Sequence, residues 1–320
     1  MEPVIRTPVR VVVLMGGRSA EREVSLNTGA QVAEALASRG HEVFTVDSAR
    51  ADFIAAIQES APDVVFICLH GRLGEDGTVQ GLLELLDTPY VGSGVLSSAL
   101  ATDKVMTKFL YRAHGIPTPD YVVVRRGEDA DVAALAALGD RTVVKPACEG
   151  SSIGMSIVHD PSQLPAAITL AFTHDDRVLV ERFVEGVEVT IGVLGNGEAA
   201  FALPTLEIVP DHEFYDYESK YVPGMSQHLI PAGVSESARA GCQLSALAAH
   251  KALACNGMSR TDTIVTADEQ VLVLETNTIP GMTSTSLLPD AARAAGIEFP
   301  ELCERLIGYA LESWETRSRV

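Results

Sequence analysis

Two oxygen-bearing side chains stand two residues apart near the end of an apolar, strand-like segment. Glu275 and Asn277 would therefore point to the same side of a strand. Asp262, on the segment expected to pair with this strand, could supply a third oxygen ligand. A few protein oxygens combined with phosphate oxygens suit Mg²⁺, so the three residues predict a magnesium site. Taken alone, however, the pair fits an ordinary polar surface strand better.

Three lysines and a glycine-rich loop suggest phosphate binding. Lys104 opens a predicted helix, Lys145 ends a predicted strand, and Lys220 lies in a long polar loop. Isolated lysines are usually solvated, which is the simpler interpretation of Lys104. Residues 149–154 form a glycine- and serine-rich loop whose backbone N–H groups could cover a phosphate, although a plain hairpin turn also fits.

An extended segment offers groups for the remainder of a nucleotide. Main-chain groups in residues 178–184 could recognise an adenine, and the carboxylate of Glu188 could bind ribose hydroxyls. Without the neighbouring motifs, a strand that crosses between two domains is the better interpretation of this segment.

The elements that would position these groups begin with an alternation of strands and helices. This alternation favours a parallel, doubly wound sheet, in which ligands lie at the carboxyl ends of the strands. The predicted strands are residues 10–15, 42–46 and 63–69, and the predicted helices are residues 25–39 and 78–86. Loops 16–23 and 70–77 occupy the ligand-binding positions of such a sheet.

The rest of the chain divides into two further predicted units. The predicted domains are residues 1–102, 103–187 and 188–320, and the last contains a long loop at 211–230 that could act as a lid. The middle unit is predicted to be a small α+β module. The third is strand-rich, with predicted hairpins at 188–206 and 260–275.

Composition limits the class of protein. The chain has 320 residues and a net charge of −19, which disfavours nucleic acid and anionic membranes as partners. The five cysteines are scattered and never spaced as Cys-x-x-Cys, so a disulfide framework or a zinc site is not expected. A reducing cytoplasm is the predicted location.

Two other motifs have to be weighed. Residues 150–154 match the G-x-S-x-G nucleophile elbow, with Ser152 as the nucleophile of a serine hydrolase. An elbow needs a helix after the serine, whereas residues 155–158 are β-branched and extended. Residues 92–97 approach a dinucleotide-binding fingerprint but lack its third glycine, and the chain contains no P-loop motif.

Taken together, the motifs resemble the D-alanine–D-alanine ligase family of the ATP-grasp superfamily. Six segments occur in the family's order, and they span nearly the whole chain. They are residues 16–25, 69–77, 145–152, 214–221, 259–262 and 275–287. The resemblance implies an α/β (α+β) fold, in which an ATP-grasp fold follows the N-terminal doubly wound domain.

The resemblance also implies an activity. In this family, ATP phosphorylates the carboxylate of one D-alanine, and the amine of a second D-alanine attacks the acyl phosphate. ADP, phosphate and D-alanyl-D-alanine, a precursor of peptidoglycan, are the products. The resemblance implies two Mg²⁺ ions, which Mn²⁺ can replace, and a homodimer. The D-configuration of the substrates follows from the resemblance alone.

Site residues are carried over by motif from the same resemblance. The catalytic set comprises Glu21, Ser151, Tyr221, Arg260 and Gly281. ATP would be bound by Lys104, Lys145, Glu181, Phe183, Val184, Glu188 and Lys220. The substrates would be bound by His70, Ser286 and Leu287, and the metal ions by Asp262, Glu275 and Asn277.

Three rival functions stay open at this point. The first is another ATP-grasp ligase, such as one that forms D-alanyl-D-lactate; the intact pair Lys220-Tyr221 favours the dipeptide. The second is a serine hydrolase using Ser152. The third is a nucleotide-binding module without activity, which would not need all of Arg260, Asp262, Glu275 and Asn277.

Overall fold

The structure is a computed structural model that describes residues 8–150, 152–210 and 226–317. Ser151, Lys220 and Tyr221, all assigned to the site from the sequence, lie outside the described residues, as does most of the predicted lid. The described chain forms three β-sheets that follow one another along the sequence.

The N-terminal part alternates strands and helices. Its elements are β1 (Arg10–Met15), α1 (Arg22–Ser38), β2 (Glu42–Asp47), α2 (Phe53–Ser60), β3 (Val64–Ile67), α3 (Thr78–Leu85) and α4 (Val95–Thr102). The three strands are parallel, in the order β2-β1-β3. The four central residues of β1 are buried, as expected for a parallel strand covered on both faces.

The central part is an antiparallel sheet with helices beside it. Its elements are α5 (Lys104–Ala113), β4 (Tyr121–Arg125), α6 (Val132–Ala137), β5 (Thr142–Pro146), β6 (Ser156–Val158), α7 (Leu164–Ala171) and β7 (Arg177–Arg182). The strand order is β4-β7-β5-β6. This order places the end of β5 beside β7, which brings Lys145 and Glu181 onto adjacent strands.

The C-terminal part is a second, larger antiparallel sheet. Its elements are β8 (Val187–Asn196), β9 (Phe201–Ala202), β10 (Leu206–Pro210), β11 (Ser226–Leu229), α8 (Glu236–Ala252), β12 (Asn256–Val265), β13 (Val271–Asn277), α9 (Leu287–Ala294) and α10 (Phe299–Arg317). The main path is β11-β10-β8-β12-β13, and β9 pairs with β8.

Two hydrophobic cores cover the two faces of the N-terminal sheet. On one face Val11 and Val13 pack in a core that includes α1 and the C-terminal helix α10. On the other face Val12 and Leu14 pack with α2 and α3. The doubly wound prediction is confirmed. Helix α10 also joins the first and last thirds of the chain, because its core side chains lie against both sheets.

The structure differs from the predicted elements in three places. The second half of the predicted hairpin 188–206 is wrong in extent, because the chain forms a short 3₁₀ turn at Gly197–Ala199 and then two separate strands, β9 and β10. Helices α2 and α4 were not predicted, since their short apolar stretches lack clear start and stop signals. The domain boundaries at 102/103 and 187/188 stay predictions.

Within the described ranges, no helix combines the length and the apolar character needed to cross a membrane.

Candidate active site

The β12–β13 hairpin carries the predicted metal ligands on one face. Its register pairs Asp262 with Glu275 and Arg260 with Asn277, and cross-strand partners share a face of the sheet. After Asp262 the register shifts and skips Leu274 of β13. Bulges of this kind bend a strand and redirect side chains, often beside active sites. The hairpin therefore gathers two carboxylates, an amide and a guanidinium group.

Asp262 is held by its neighbours. Its Oδ1 accepts hydrogen bonds from Thr190 Oγ1 at 2.5 Å and from Arg260 Nε at 2.9 Å, and its Oδ2 accepts one from Arg260 Nη2 at 2.8 Å. The carboxylate is buried, so the guanidinium group compensates a charge that would otherwise be costly. Asp262 thus fixes the direction of the Arg260 side chain.

The donor set fits a hard cation such as Mg²⁺. The Glu275 side chain is 36% exposed, and Asn277 Oδ1 accepts a hydrogen bond from the N–H of Ile279 at 2.8 Å. In residues 8–150, 152–210 and 226–317, no group of three or more His, Cys, Asp or Glu side chains could hold a metal ion. Two carboxylates and an amide suit a cation whose remaining ligands are phosphate and water oxygens.

Lys104 lies close to this hairpin, at the start of α5. Asp103 caps the helix by accepting two backbone N–H bonds, which fixes the first turn. The Lys104 ammonium group donates to the carbonyl oxygen of Glu149 at 2.6 Å and lies 3.7 Å from Glu275 Oε2. It therefore connects the glycine-serine loop to the acidic hairpin.

Lys145 shares a buried carboxylate with a second lysine. Its Nζ forms an ion pair with Oε2 of Glu181, while Oε1 of Glu181 lies 2.6 Å from Nζ of Lys108. Burial alone would raise the pKa of Glu181, but the charges of Lys108 and Lys145 outweigh it and lower that pKa. Burial would lower the pKa of Lys145, yet the carboxylates of Glu181 and Glu275 raise it.

The predicted adenosine-binding groups lie on and beside the link between β7 and β8: Phe183 and Val184 on the link itself, and Glu188 at the start of β8. The N–H of Phe183 donates to the carbonyl oxygen of Arg141 at 3.0 Å, and the Arg141 guanidinium group lies over the Phe183 ring, 4.0 Å from its centroid. Phe183, Val184 and Glu188 are all half-buried. This link starts one residue after β7, close to Glu181.

A turn joins β5 to β6 and removes the basis of the hydrolase alternative. Ser152 has a left-handed backbone with a φ of 61°, and its carbonyl oxygen accepts the N–H of Met155 at 3.2 Å. Residues 156–158 then form β6, which pairs antiparallel with β5. A nucleophile elbow requires a helix at this point, and the chain forms a strand.

Glu21 and His70 meet at the carboxyl ends of β1 and β3. Ser19 Oγ donates to the carbonyl oxygen of His70 at 2.8 Å and accepts the N–H of Glu21 at 3.3 Å. Gly71 has a φ of +70°, and a Cβ atom there would lie 2.8 Å from Glu21 Oε2. His70 Nδ1 lies 3.2 Å from Glu75 Oε1. The two loops predicted to bind ligands are therefore in contact.

Gly281 and Ser286 lie in the turn that precedes α9. Ser286 Oγ accepts the N–H of Thr283 at 3.1 Å and lies 2.7 Å from Thr283 Oγ1. A Cβ atom at Gly281 would approach Ser286 Oγ to 2.9 Å, so a glycine keeps this turn compact. Ser286 precedes the helix without capping it through its side chain, and Leu287 is the first helical residue. The N–H groups of this first turn can receive a carboxylate.

Sequence reasoning missed two residues of this region. Lys108 follows Lys104 by four residues on α5, and this spacing, which places both on one helix face, was the available signal. Thr190 faces Asp262 across β8 and β12, a pairing that only the sheet register reveals.

Family models match two parts of the chain. The model described as the D-ala D-ala ligase C-terminus matches residues 110–308, and the model described as the D-ala D-ala ligase N-terminus matches residues 51–93.

Curated relatives and solved structures agree with these matches. The D-alanine–D-alanine ligase of Syntrophotalea carbinolica is 52% identical over 94% of this chain and 96% of its own length. That of Pelotomaculum thermopropionicum is 48% identical over 97% and 99%. A crystal structure of the Bacillus anthracis ligase complexed with ATP has a TM-score of 0.84 at 33% identity, covering 97% of this chain and 99% of that one.

Proposed function

The chain belongs to the D-alanine–D-alanine ligase family, and we propose that the site described above joins two D-alanine molecules at the expense of ATP. The observation that carries this proposal is the arrangement at the hairpin. Glu275 and Asp262 face one another on paired strands, and the Lys104 ammonium group lies 3.7 Å from Glu275. Acidic and basic groups at this spacing suit a cation–phosphate complex.

The reaction takes place in two steps. A carboxylate oxygen of the first D-alanine attacks the γ-phosphorus of ATP, the bond to the bridging oxygen breaks, and ADP leaves. The amine of the second D-alanine then attacks the carbonyl carbon of the acyl phosphate. The C–O bond to phosphate breaks, phosphate leaves with the electron pair, and the amine loses a proton.

The chain's own residues bind and orient the nucleotide. Lys104 and Lys145, with Lys220 outside the described residues, neutralise the phosphates. The backbone and side chains of the 181–184 segment hold the adenine, and Glu188 holds the ribose. Asp262, Glu275 and Asn277 would hold two Mg²⁺ ions, or Mn²⁺ in their place, which supply charge neutralisation for phosphoryl transfer.

Other residues orient the two amino acids. Glu21 receives the ammonium group of the first D-alanine, and His70 lies near its carboxylate. Ser286 and the N–H of Leu287 receive the carboxylate of the second, at the N-terminus of α9. Arg260, oriented by Asp262, and the N–H of Gly281 stabilise the oxyanion of the tetrahedral intermediate. Ser151 and Tyr221, outside the described residues, are proposed to close the site with Glu21.

The wider assignments rest on family membership. We propose that the product serves peptidoglycan precursor synthesis, and thereby cell-wall formation and cell shape. The enzyme would act in the cytoplasm as a homodimer, with no nucleic acid or membrane as partner. The three domain ranges 1–102, 103–187 and 188–320 are part of the same proposal.

An assay of ADP release tests the proposed substrate. ATP and Mg²⁺ are supplied with D-alanine alone, with D-alanine plus D-lactate, or with L-amino acids, and the product is identified by mass. We expect ADP release that requires D-alanine and yields the dipeptide. Release that requires only L-amino acids would contradict the choice of substrate, and a D-alanyl-D-lactate product would assign the chain to the rival ligase.

A further inference from the structure

Lys108 is a buried lysine that the reaction described above does not use. Its side chain is 1% exposed and lies on α5, four residues after Lys104. Lysine is almost never buried without acceptors for its charge. Here three acceptors are within reach: Glu181 Oε1 at 2.6 Å, Thr118 Oγ1 at 2.5 Å and the carbonyl oxygen of Val273 at 3.3 Å. These contacts hold the ammonium group in one position.

Glu181 is the acceptor that links Lys108 to the nucleotide side. One oxygen of Glu181 faces Lys108, and the other forms the ion pair with Lys145. Two ammonium groups therefore share one carboxylate, and the three side chains together carry a net charge of about +1. If Lys145 were the only partner of Glu181, that ion pair would be neutral and would offer less attraction to a phosphate.

Lys108 also connects β7 to the β12–β13 hairpin. Thr118 Oγ1 donates to the carbonyl oxygen of Val273 at 2.7 Å, and the N–H of Val273 donates to the carbonyl oxygen of Pro117 at 2.8 Å. Val273 lies on β13, two residues before Glu275. The same ammonium group thus contacts the strand that carries the acidic ligands and the carboxylate on β7.

We propose that Lys108 is a positioning residue of the ATP site, which holds Glu181 between two ammonium groups so that Lys145 keeps positive charge for a nucleotide phosphate. This inference rests on the proposed roles of Lys145 and Glu181. Burial lowers the pKa of Lys108 to about 8, in keeping with two ammonium groups competing for one carboxylate. Lys108 itself touches no substrate and acts through Glu181.

Calorimetric titration with ATP and Mg²⁺, without any amino acid, measures the effect directly. Lys108→Met keeps the length of the side chain and removes its charge. We expect it to weaken ATP binding by about 10- to 100-fold, the range for losing one hydrogen-bonded charge. Lys251→Met is the matched control, because Lys251 is an exposed lysine on α8 that pairs with the exposed Glu198. The Kd of this variant for ATP should stay within about twofold of the wild-type value.

A double-mutant cycle separates positioning from general structural damage. If Lys108 acts through Glu181, then Lys108→Met should weaken ATP binding by less than about threefold when Glu181→Gln is already present. Equal effects of Lys108→Met in both backgrounds would overturn the proposal. So would an unchanged Kd in a folded Lys108→Met protein, as judged by its thermal unfolding.

Thr118→Val tests the proposed role of Lys108 if the Lys108→Met protein does not fold. It keeps the ammonium group but removes one of its acceptors, so we expect ATP binding to weaken about threefold, with the steady-state KM for D-alanine unchanged. An unchanged Kd for ATP in this variant would count against the proposal. Failure of the proposed function is distinguishable, because it would appear as wild-type protein that binds ATP but releases no ADP with D-alanine.

Discussion

The candidate site has a basic side and an acidic side, and the two differ in how far their charged groups are buried. On the basic side, Lys108 and Glu181 are buried, and the half-buried Lys145 shares the Glu181 carboxylate with Lys108. On the acidic side, the β12–β13 hairpin carries Asp262 and a more open Glu275, whose side chain is 36% exposed. In the first group, Lys108 and Glu181 are as buried as core residues. The second keeps one carboxylate partly exposed to solvent.

From this difference we propose separate roles for the two sides. A cluster whose side chains are already held by ion pairs needs little reorganisation when a ligand arrives, so it suits recognition of the nucleotide. A partly exposed carboxylate can take up a cation together with phosphate oxygens, so it suits the step in which charge moves. Changes on the acidic side should therefore alter kcat, and changes on the basic side should alter the KM for ATP.

The largest expected effect is on the acidic side. Glu275→Gln keeps the size of the side chain and removes the charge that would hold a metal ion. We expect kcat to fall about 10³-fold, because charge neutralisation in phosphoryl transfer contributes several kcal/mol. ADP release with saturating ATP and D-alanine measures it. Since Glu275 is half-buried, thermal unfolding should change little.

Glu198→Gln is the matched control for this variant. Glu198 is an exposed carboxylate paired with Lys251, and it lies in the 3₁₀ turn after β8 rather than on the β12–β13 hairpin. Its kcat should equal that of the wild type within about twofold. A Glu275→Gln enzyme that turns over at the wild-type rate would contradict the assignment of Glu275 as a metal ligand.

A substitution on the basic side should change the KM for ATP rather than kcat. Lys145→Met leaves Glu181 with Lys108 as its one ammonium partner and removes a positive charge from the phosphate side. We expect the KM for ATP to rise about 100-fold, the KM for D-alanine to stay within about threefold, and kcat to fall less than in Glu275→Gln. Initial rates at varied ATP measure it, with Lys251→Met alongside. If Lys145→Met changed only kcat, the proposed division between nucleotide binding on the basic side and phosphoryl transfer on the acidic side would be wrong.

The acidic side could be predicted from the sequence because its information is local. Glu275 and Asn277 stand two residues apart on a strand, and Asp262 lies on the other strand of the same predicted hairpin, whose register brings them together. Period-two patterning and a short connection are enough to place such residues on one face. The register of β12 and β13 confirms that hairpin.

The basic side could be predicted only in part. Lys145 was assigned from its motif, but Lys108 was missed, because a lysine on a helix is normally solvated and its burial depends on packing against β7 and β13. The same limit hid the role of α10, whose core contacts with the N-terminal sheet join residues almost 300 positions apart. Charge burial and long-range packing have no signature in a single sequence.

Acid should lower the free energy of unfolding through a buried histidine that packs behind the β12–β13 hairpin. His250 on α8 is buried, with Nδ1 2.7 Å from Ser259 Oγ on β12, next to Arg260. Burial lowers the pKa of His250 from 6.5 to about 4, and the charge of Lys251 adds to this. The unfolded chain therefore takes up a proton near pH 6.5 that the folded protein refuses until about pH 4.

The free energy of unfolding should consequently fall as the pH falls through this window. We expect His250 to contribute a loss on the order of 2 kcal/mol between pH 6.5 and pH 4. Urea unfolding at several pH values measures it. In His250→Asn this part of the pH dependence should disappear, whatever the stability of the variant at pH 7. The same slope in both proteins would show that other groups cause it.

The smallest expected effect concerns the turn before α9, which belongs to neither side. Ser286→Ala removes the oxygen that accepts the N–H of Thr283 and that is proposed to receive the second D-alanine. We expect the KM for that D-alanine to rise about tenfold, with the KM for ATP unchanged, since one hydrogen bond to a charged group is lost. Ser284→Ala is the control, because Ser284 is exposed and makes its hydrogen bonds through its backbone: its N–H donates to Gln31 and its carbonyl oxygen accepts from Arg293. A rise in the KM for ATP instead would mean that this turn binds the nucleotide. Nucleotide recognition would then not be confined to the basic side.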